Sequence, residues 1–156
     1  MMQSEAPRRD WQPIRCGRVD VAFDAAHRVL RHESKCAHLH GHRYRVEVEA
    51  EAPALDDVGR VVDFADLKEI AKGFADRYLD HGTLVNPRDF ELLDWLGRHN
   101  QKHFVMPSGC DEPTAENLAR TLASVLGEQL RARQAGLELV RVRVYETVNC
   151  YAEIAR

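Results

Sequence analysis

The chain has 156 residues, 44% hydrophobic and 30% charged, with a formal net charge of -3. That length suits one domain with a core of its own. Acids and bases are interspersed without a long Lys/Arg run, which argues against a nucleic-acid partner. No apolar stretch approaches the roughly 18 residues of a membrane span.

Residues 1–13 carry Pro7, Pro13 and mixed charge and read as a flexible N-terminal arm. They lack the apolar centre of an export signal, so the expected location is cytoplasmic. Residues 14–156 read as a single domain. Cys16, Cys36, Cys110 and Cys150 form no Cys-x-x-Cys pair, and in a cytoplasmic chain they are expected to be reduced thiols.

Alternation predicts a strand from about Cys16 to Ala26, with Val19, Val21, Phe23, Ala25 and His27 sharing one parity. A second strand is predicted from about Gly41 to Ala52. In it His40, His42, Tyr44, Val46, Val48 and Ala50 share the apolar parity, and Arg43, Arg45, Glu47 and Glu49 share the other. Successive side chains on a strand alternate faces. A hairpin between the two strands can therefore bring His27 beside His40 and His42. Three converging imidazoles are how a protein holds zinc with one coordination position open. Two plainer readings compete: hydrogen-bonded core histidines, and a closed structural site with Cys36 as fourth ligand. The 28–39 connection is long for a hairpin and locally basic, with Arg28, Arg31 and Lys35 against Glu33. Such cations suit phosphate, although a solvated loop is the simpler account.

Asp63 is placed as the N-cap of a helix bearing Phe64, Leu67, Ile70, Ala71, Phe74 and Tyr78 at helical spacing and ending near Leu79. Asn86-Pro87 reads as N-cap and first-turn proline of a short extra helix with Phe90, Leu93 and Leu96. A short extended piece is expected at Phe104–Met106. Thr114 caps the longest helix, whose apolar face is Leu118, Ala119, Leu122, Val125, Leu126 and Leu130, with Gly136 as its stop. Strands follow at about Leu139–Thr147 and Cys150–Ala155. This order predicts an α+β domain: an antiparallel four-stranded sheet (ββααββ) with helices on one face.

Three further features could carry chemistry. Cys36 lies four positions before His40, and a thiolate is the reactive form of cysteine. Asp80-His81 follows a helix directly, where an Asp can hold a His tautomer for proton transfer; a plain helix-dipole contact is the alternative. Glu146 lies at the apolar parity of its strand, so it needs a partner. That partner is either an arginine, with Arg141 and Arg143 nearby, or a ligand with paired N–H donors.

Cys36-x3-His40-Gly41-His42, with Phe23-Asp-Ala-Ala-His27-Arg28 upstream, resembles the 6-pyruvoyl-tetrahydropterin synthase and 6-carboxy-tetrahydropterin synthase family. Gly59-Arg-Val-Val-Asp63-Phe64, Leu79-Asp80-His81, Pro113-Thr114-Ala-Glu116-Asn117 and Glu146-Thr147 match in the family's order, over about residues 16–155. The resemblance implies the tunnelling fold, assembled as a homo-hexamer of two trimers. It implies Zn2+ on His27, His40 and His42, with Cys36, Asp80 and His81 catalytic and Glu146 and Thr147 binding the pterin. With sites between subunits, Asp80 and His81 would act on a neighbour's Cys36. The implied substrate is 7,8-dihydroneopterin triphosphate. The expected product is 6-carboxy-5,6,7,8-tetrahydropterin, with acetaldehyde and triphosphate released, in queuosine-type 7-deazapurine synthesis. Elimination of triphosphate alone, as in the pyruvoyl branch, is the alternative. A thiol hydrolase using Cys36, His81 and Asp80 is a weaker one, for want of an oxyanion-hole signature. Residues at about 87–110 look inserted relative to short family members, and the segment after His81 is one residue longer than usual.

Overall fold

Alternating burial along two central strands organises the chain. The computed structural model describes residues 14, 15 and 18–156; the expected arm over residues 1–13 and the strand start at Cys16 lie outside the described residues. In chain order the elements are β1 (Ile14–Arg15), β2 (Val19–His27), β3 (His40–Ala52), α1 (Phe64–Phe74), β4 (Gly82–Val85), α2 (Phe90–Arg98), β5 (His103–Val105), α3 (Ala115–Arg133), β6 (Glu138–Thr147) and β7 (Cys150–Ala155). A 3-10 turn occupies Lys35–Ala37 and a π-helical turn occupies Ala75–Leu79.

The main sheet has six strands in the order β5-β4-β2-β3-β6-β7, with β1 paired to the far end of β3. The expected four-stranded antiparallel sheet is corrected accordingly. Its four strands are present and antiparallel, but β4 runs parallel to β2 and β5 parallel to β4, so the sheet is mixed. All four residues of β4 are buried. A strand covered on both faces has no polar–apolar alternation to reveal it.

One face of the sheet carries Val21, Phe23, Tyr44, Val46, Val48, Val142 and Val144 into the core. Onto it pack Leu67, Ala71 and Phe74 of α1, and Leu118, Leu122, Leu126 and Leu130 of α3. Both helices start on the expected caps: Asp63 accepts from the Ala65 backbone N–H at 2.8 Å, and Thr114 from that of Asn117 at 3.3 Å. The start of α2 is corrected. Asn86 accepts from the Arg88 N–H in a turn, and the helix begins later, with Asp89 accepting from Leu92 at 3.3 Å. Within residues 87–110, α2 buries Leu92 and Leu96 against Val85, and β5 extends the sheet beside β4.

The opposite face of the sheet is a lattice of charge. Buried Glu47 accepts from Arg45 at 2.9 Å and lies 3.3 Å and 3.7 Å from the Arg18 and Arg143 guanidinium groups. Arg45 also stacks over the Tyr145 ring and Arg143 over that of Tyr151. Among the described residues, no helix is long and apolar enough to cross a membrane.

Candidate metal centre and active site

The β2–β3 register pairs His27 with His40 and Ala25 with His42. The alternation of each strand then turns all three imidazoles to the helix-covered face. Ring centroids are 4.6 Å apart for His27–His40, 5.1 Å for His27–His42 and 4.9 Å for His40–His42. One nitrogen from each ring lies within 4.8 Å of the other two.

Hydrogen bonds decide which nitrogens face inward. His27 Nδ1 lies 2.7 Å from the Pro113 carbonyl, and His40 Nδ1 lies 2.7 Å from the His38 carbonyl. A carbonyl can only accept, so in both rings Nδ1 carries a proton, and in the neutral ring the lone pair is on Nε2. The Nε2 atoms of His27 and His42 are buried without a hydrogen-bond partner. Burial lowers the pKa of His27, an effect partly offset by the Pro113 bond and by Glu146; burial likewise lowers that of His42. Neutral imidazoles with free Nε2 atoms are the form that binds a metal ion. The three histidines could hold one, and orphaned nitrogens in a buried position fit that use. Among the described residues the converging group is the three histidines without Cys36. That counts against a closed site with the thiolate as fourth ligand.

Cys36 sits in the Lys35–Ala37 turn, half-buried, its carbonyl accepting from the Val29 N–H at 2.8 Å. It shares a cavity of about 230 Å³ with His27, Thr114, Glu116, Glu146, Cys150 and Tyr151. Glu146 Oε1 is 3.5 Å from His27 Nε2 and 3.9 Å from His42 Nε2. Neither arginine considered as its partner reaches it. Arg141 pairs with Glu49 and Glu153, and Arg143 with Glu153 and Glu47, on the charged face. Thr147 is exposed, and its hydroxyl accepts from the Asn149 N–H in the β6–β7 hairpin at 3.4 Å, away from that cavity's lining.

Asp80 and His81 form a dyad, with His81 Nδ1 2.7 Å from Asp80 Oδ2. Its mounting is tight. The π-helical turn ends with the Asp80 N–H donating to the Ala75 carbonyl, Asp80 Oδ1 accepts from the Asp24 N–H, and the His81 N–H donates to the Asp24 carbonyl. These bonds hold His81 at a φ of 57°, a left-handed conformation uncommon outside glycine. The Asp24 N–H, and then His81, keep the Asp80 carboxyl below the usual carboxylate range. His81 opens into a second cavity, with Asp24, Ala26, Gly41 and Arg43. The two cavities have no lining residue in common, but His27 lines the first and His42 the second, so the histidine cluster stands between Cys36 and the dyad.

Some neighbours of the site gave no signal in the sequence. Pro113 contributes a backbone carbonyl, which residue identity does not encode. Cys150 reads as a bland thiol but lines the Cys36 cavity. Tyr44 was legible only as a core residue. Its ring packs 6.0 Å from His27 and 5.7 Å from His42, with a buried, unpartnered hydroxyl. Burial pushes the pKa of that hydroxyl upward.

Comparisons with known proteins agree with this architecture. The family model described as 6-pyruvoyl tetrahydropterin synthase matches residues 17–156. A Rickettsia bellii protein named 6-carboxy-5,6,7,8-tetrahydropterin synthase is 36% identical over 142 residues, covering 90% of this chain and 99% of its own. The crystal structure of an uncharacterized Wolinella succinogenes protein superposes with a TM-score of 0.74 at 23% identity, covering 94% of this chain and 99% of that one. A Plasmodium vivax 6-pyruvoyl tetrahydropterin synthase superposes at 0.68 with 18% identity, covering 93% and 98%. At those identities the structural matches establish the fold, while the family match and the near full-length relative establish descent: the chain belongs to the 6-pyruvoyl tetrahydropterin synthase family.

Proposed function

We propose that the protein is a zinc-dependent carbon–carbon lyase converting 7,8-dihydroneopterin triphosphate to 6-carboxy-5,6,7,8-tetrahydropterin, with release of acetaldehyde and triphosphate. The observation that carries this reading is the convergence of His27, His40 and His42, with His27 at the wall of the cavity that holds Cys36 and Glu146. The names of the relatives favour the carboxy product. The same reading places the reaction in 7-deazapurine synthesis of the queuosine type.

His27, His40 and His42 would hold the metal, with their Nε2 atoms as the ligands. When bound, zinc supplies a Lewis acid for substrate oxygens. Glu146 accepts hydrogen bonds from the paired N–H donors of the pterin edge, and Thr147 lies beside it in sequence as a second contact. Cys36 takes up a proton from the substrate side chain. His81 moves a proton through Nε2 while Asp80 holds its Nδ1–H. In this reading the dyad acts on the Cys36 of a neighbouring subunit, in a homo-oligomer of two trimers.

The test is to load the protein with zinc, add 7,8-dihydroneopterin triphosphate and identify the products. A 6-carboxy pterin with acetaldehyde supports the proposal. A 6-pyruvoyl product assigns the elimination reaction instead, and an unconsumed substrate overturns both. Cys36→Ala is expected to slow turnover by roughly 10²–10⁴-fold while zinc stays bound. Loss of zinc from that variant would mark Cys36 as a ligand.

A further inference from the structure

Three links tie the metal-bearing end of β2 to the segment that follows β4. Arg28 Nε and Nη2 each donate to the Asp89 carboxylate at 2.6 Å, a two-pronged pair in which the Asp89 side chain is 3% exposed. Glu112 accepts from the Leu30 N–H at 2.9 Å and faces Arg31. Pro113 accepts from His27 Nδ1. Of the ion pairs here, Arg28–Asp89 is the one with both side chains largely shielded from water.

The position of Arg28 gives that pair its leverage. Residue 27 is one of the three histidines proposed to hold the metal, and the N–H of residue 29 holds the Cys36 carbonyl. Fixing Arg28 thus fixes, through one peptide unit on each side, both the ring that bears Nε2 and the turn that bears the thiol. Asp89 is itself fixed, because it caps α2 and accepts from the Leu92 N–H. An arginine held by two parallel hydrogen bonds is constrained in direction as well as distance. The geometry assigns Asp89, on the segment after β4, as a positioning residue that sets the metal centre and the Cys36 turn through Arg28. The inference rests on the zinc reading above; its thiol arm does not.

Asp89→Asn tests it, because asparagine caps a helix as well as aspartate does and so leaves α2 its start. Zinc affinity is measured by competition with a chromophoric chelator, and the alkylation rate of Cys36 by iodoacetamide is read peptide by peptide in a mass spectrometer. Asp89→Asn is expected to weaken zinc binding about 10–100-fold, as loss of outer supports of a metal ligand does elsewhere. It is also expected to change the Cys36 alkylation rate in the metal-free protein severalfold. Arg28→Lys keeps the charge but not the fork, and is expected to lose affinity in the same direction by less; it serves if Asp89→Asn does not fold. Asp111→Asn, which breaks the Arg88–Asp111 pair at the surface, is expected to alter neither reading. A folded Asp89→Asn or Arg28→Lys protein with wild-type zinc affinity and wild-type Cys36 reactivity overturns the inference. Wild-type protein that takes up no zinc instead overturns the proposed function, and the alkylation comparison then decides the inference by itself.

Discussion

Asp89 makes the stability contribution of a single residue measurable. Its hydrogen bonds from Arg28, against the opposing effect of burial, hold its carboxyl below the usual carboxylate range. The unfolded chain takes up this proton near pH 3.9, and the folded protein only at lower pH. The contribution is therefore complete above about pH 4 and is lost as pH falls through the folded value. Replacing Asp89 with Asn is expected to cost about 1–3 kcal/mol at pH 7. That deficit relative to wild type should shrink below pH 4. Urea unfolding of both proteins at pH 7 and pH 3 checks it, and a deficit that stays constant with pH would remove the carboxylate as its cause. At this scale the sequence was informative where side chains repeat with a period. Parity alone put His27, His40 and His42 on one face. It was silent on Pro113, which acts through its carbonyl, and on the ambiguity of Glu146, whose candidate arginines turn out to serve the other side of the sheet.

Among the elements, β4 has the largest consequence for its length. It separates β5 from β2, pairs in parallel with both, and begins directly after His81. Leu84 within it is fully buried in the main core. Leu84→Ala is expected to destabilise the fold by about 2–5 kcal/mol. Because β4 anchors the dyad mounting, amide exchange at Asp24 and His81, whose N–H groups bond across this junction, should accelerate more than exchange in α3. Equal acceleration in both places would show that β4 has no local role. The elements read correctly from sequence, β2, β3, α1, α3, β6 and β7, are those with a solvated side or a capped start. Strand β4 was missed because Gly82-Thr-Leu-Val85 is short, covered on both faces, and matched to a partner more than fifty residues earlier.

For the whole molecule, the separation of the two cavities bears on assembly. Cys36 lines one cavity and His81 the other, on two sides of the histidine cluster, and the proposed homo-oligomer would bring a second copy's dyad to the first copy's thiol. Cys36→Ala and His81→Ala proteins are each expected to be nearly inactive. Unfolded together and refolded as a mixture, they should regain about a quarter of wild-type activity, because in random co-assembly a quarter of the sites pair an intact Cys36 with an intact His81. A mixture as inactive as its components would place both residues in one subunit's site. Composition foreshadowed little of this: a net charge of -3 conceals a sheet face crowded with paired arginines and carboxylates.

The antiparallel register of β2 against β3 reaches from Val19–Val48 to His27–His40 without interruption, and the irregularity in β3 lies at Glu49/Ala50, on its β6 edge and far from the histidines. Deleting one residue between His42 and Val46 would therefore rotate His40 and His42 onto the arginine-lined side, while the rest of the strand kept its place in the core. Deleting two would return them to the helix side, one step out of line with His27. Point substitution can retune this centre gradually, whereas a single-codon change in length erases it at once.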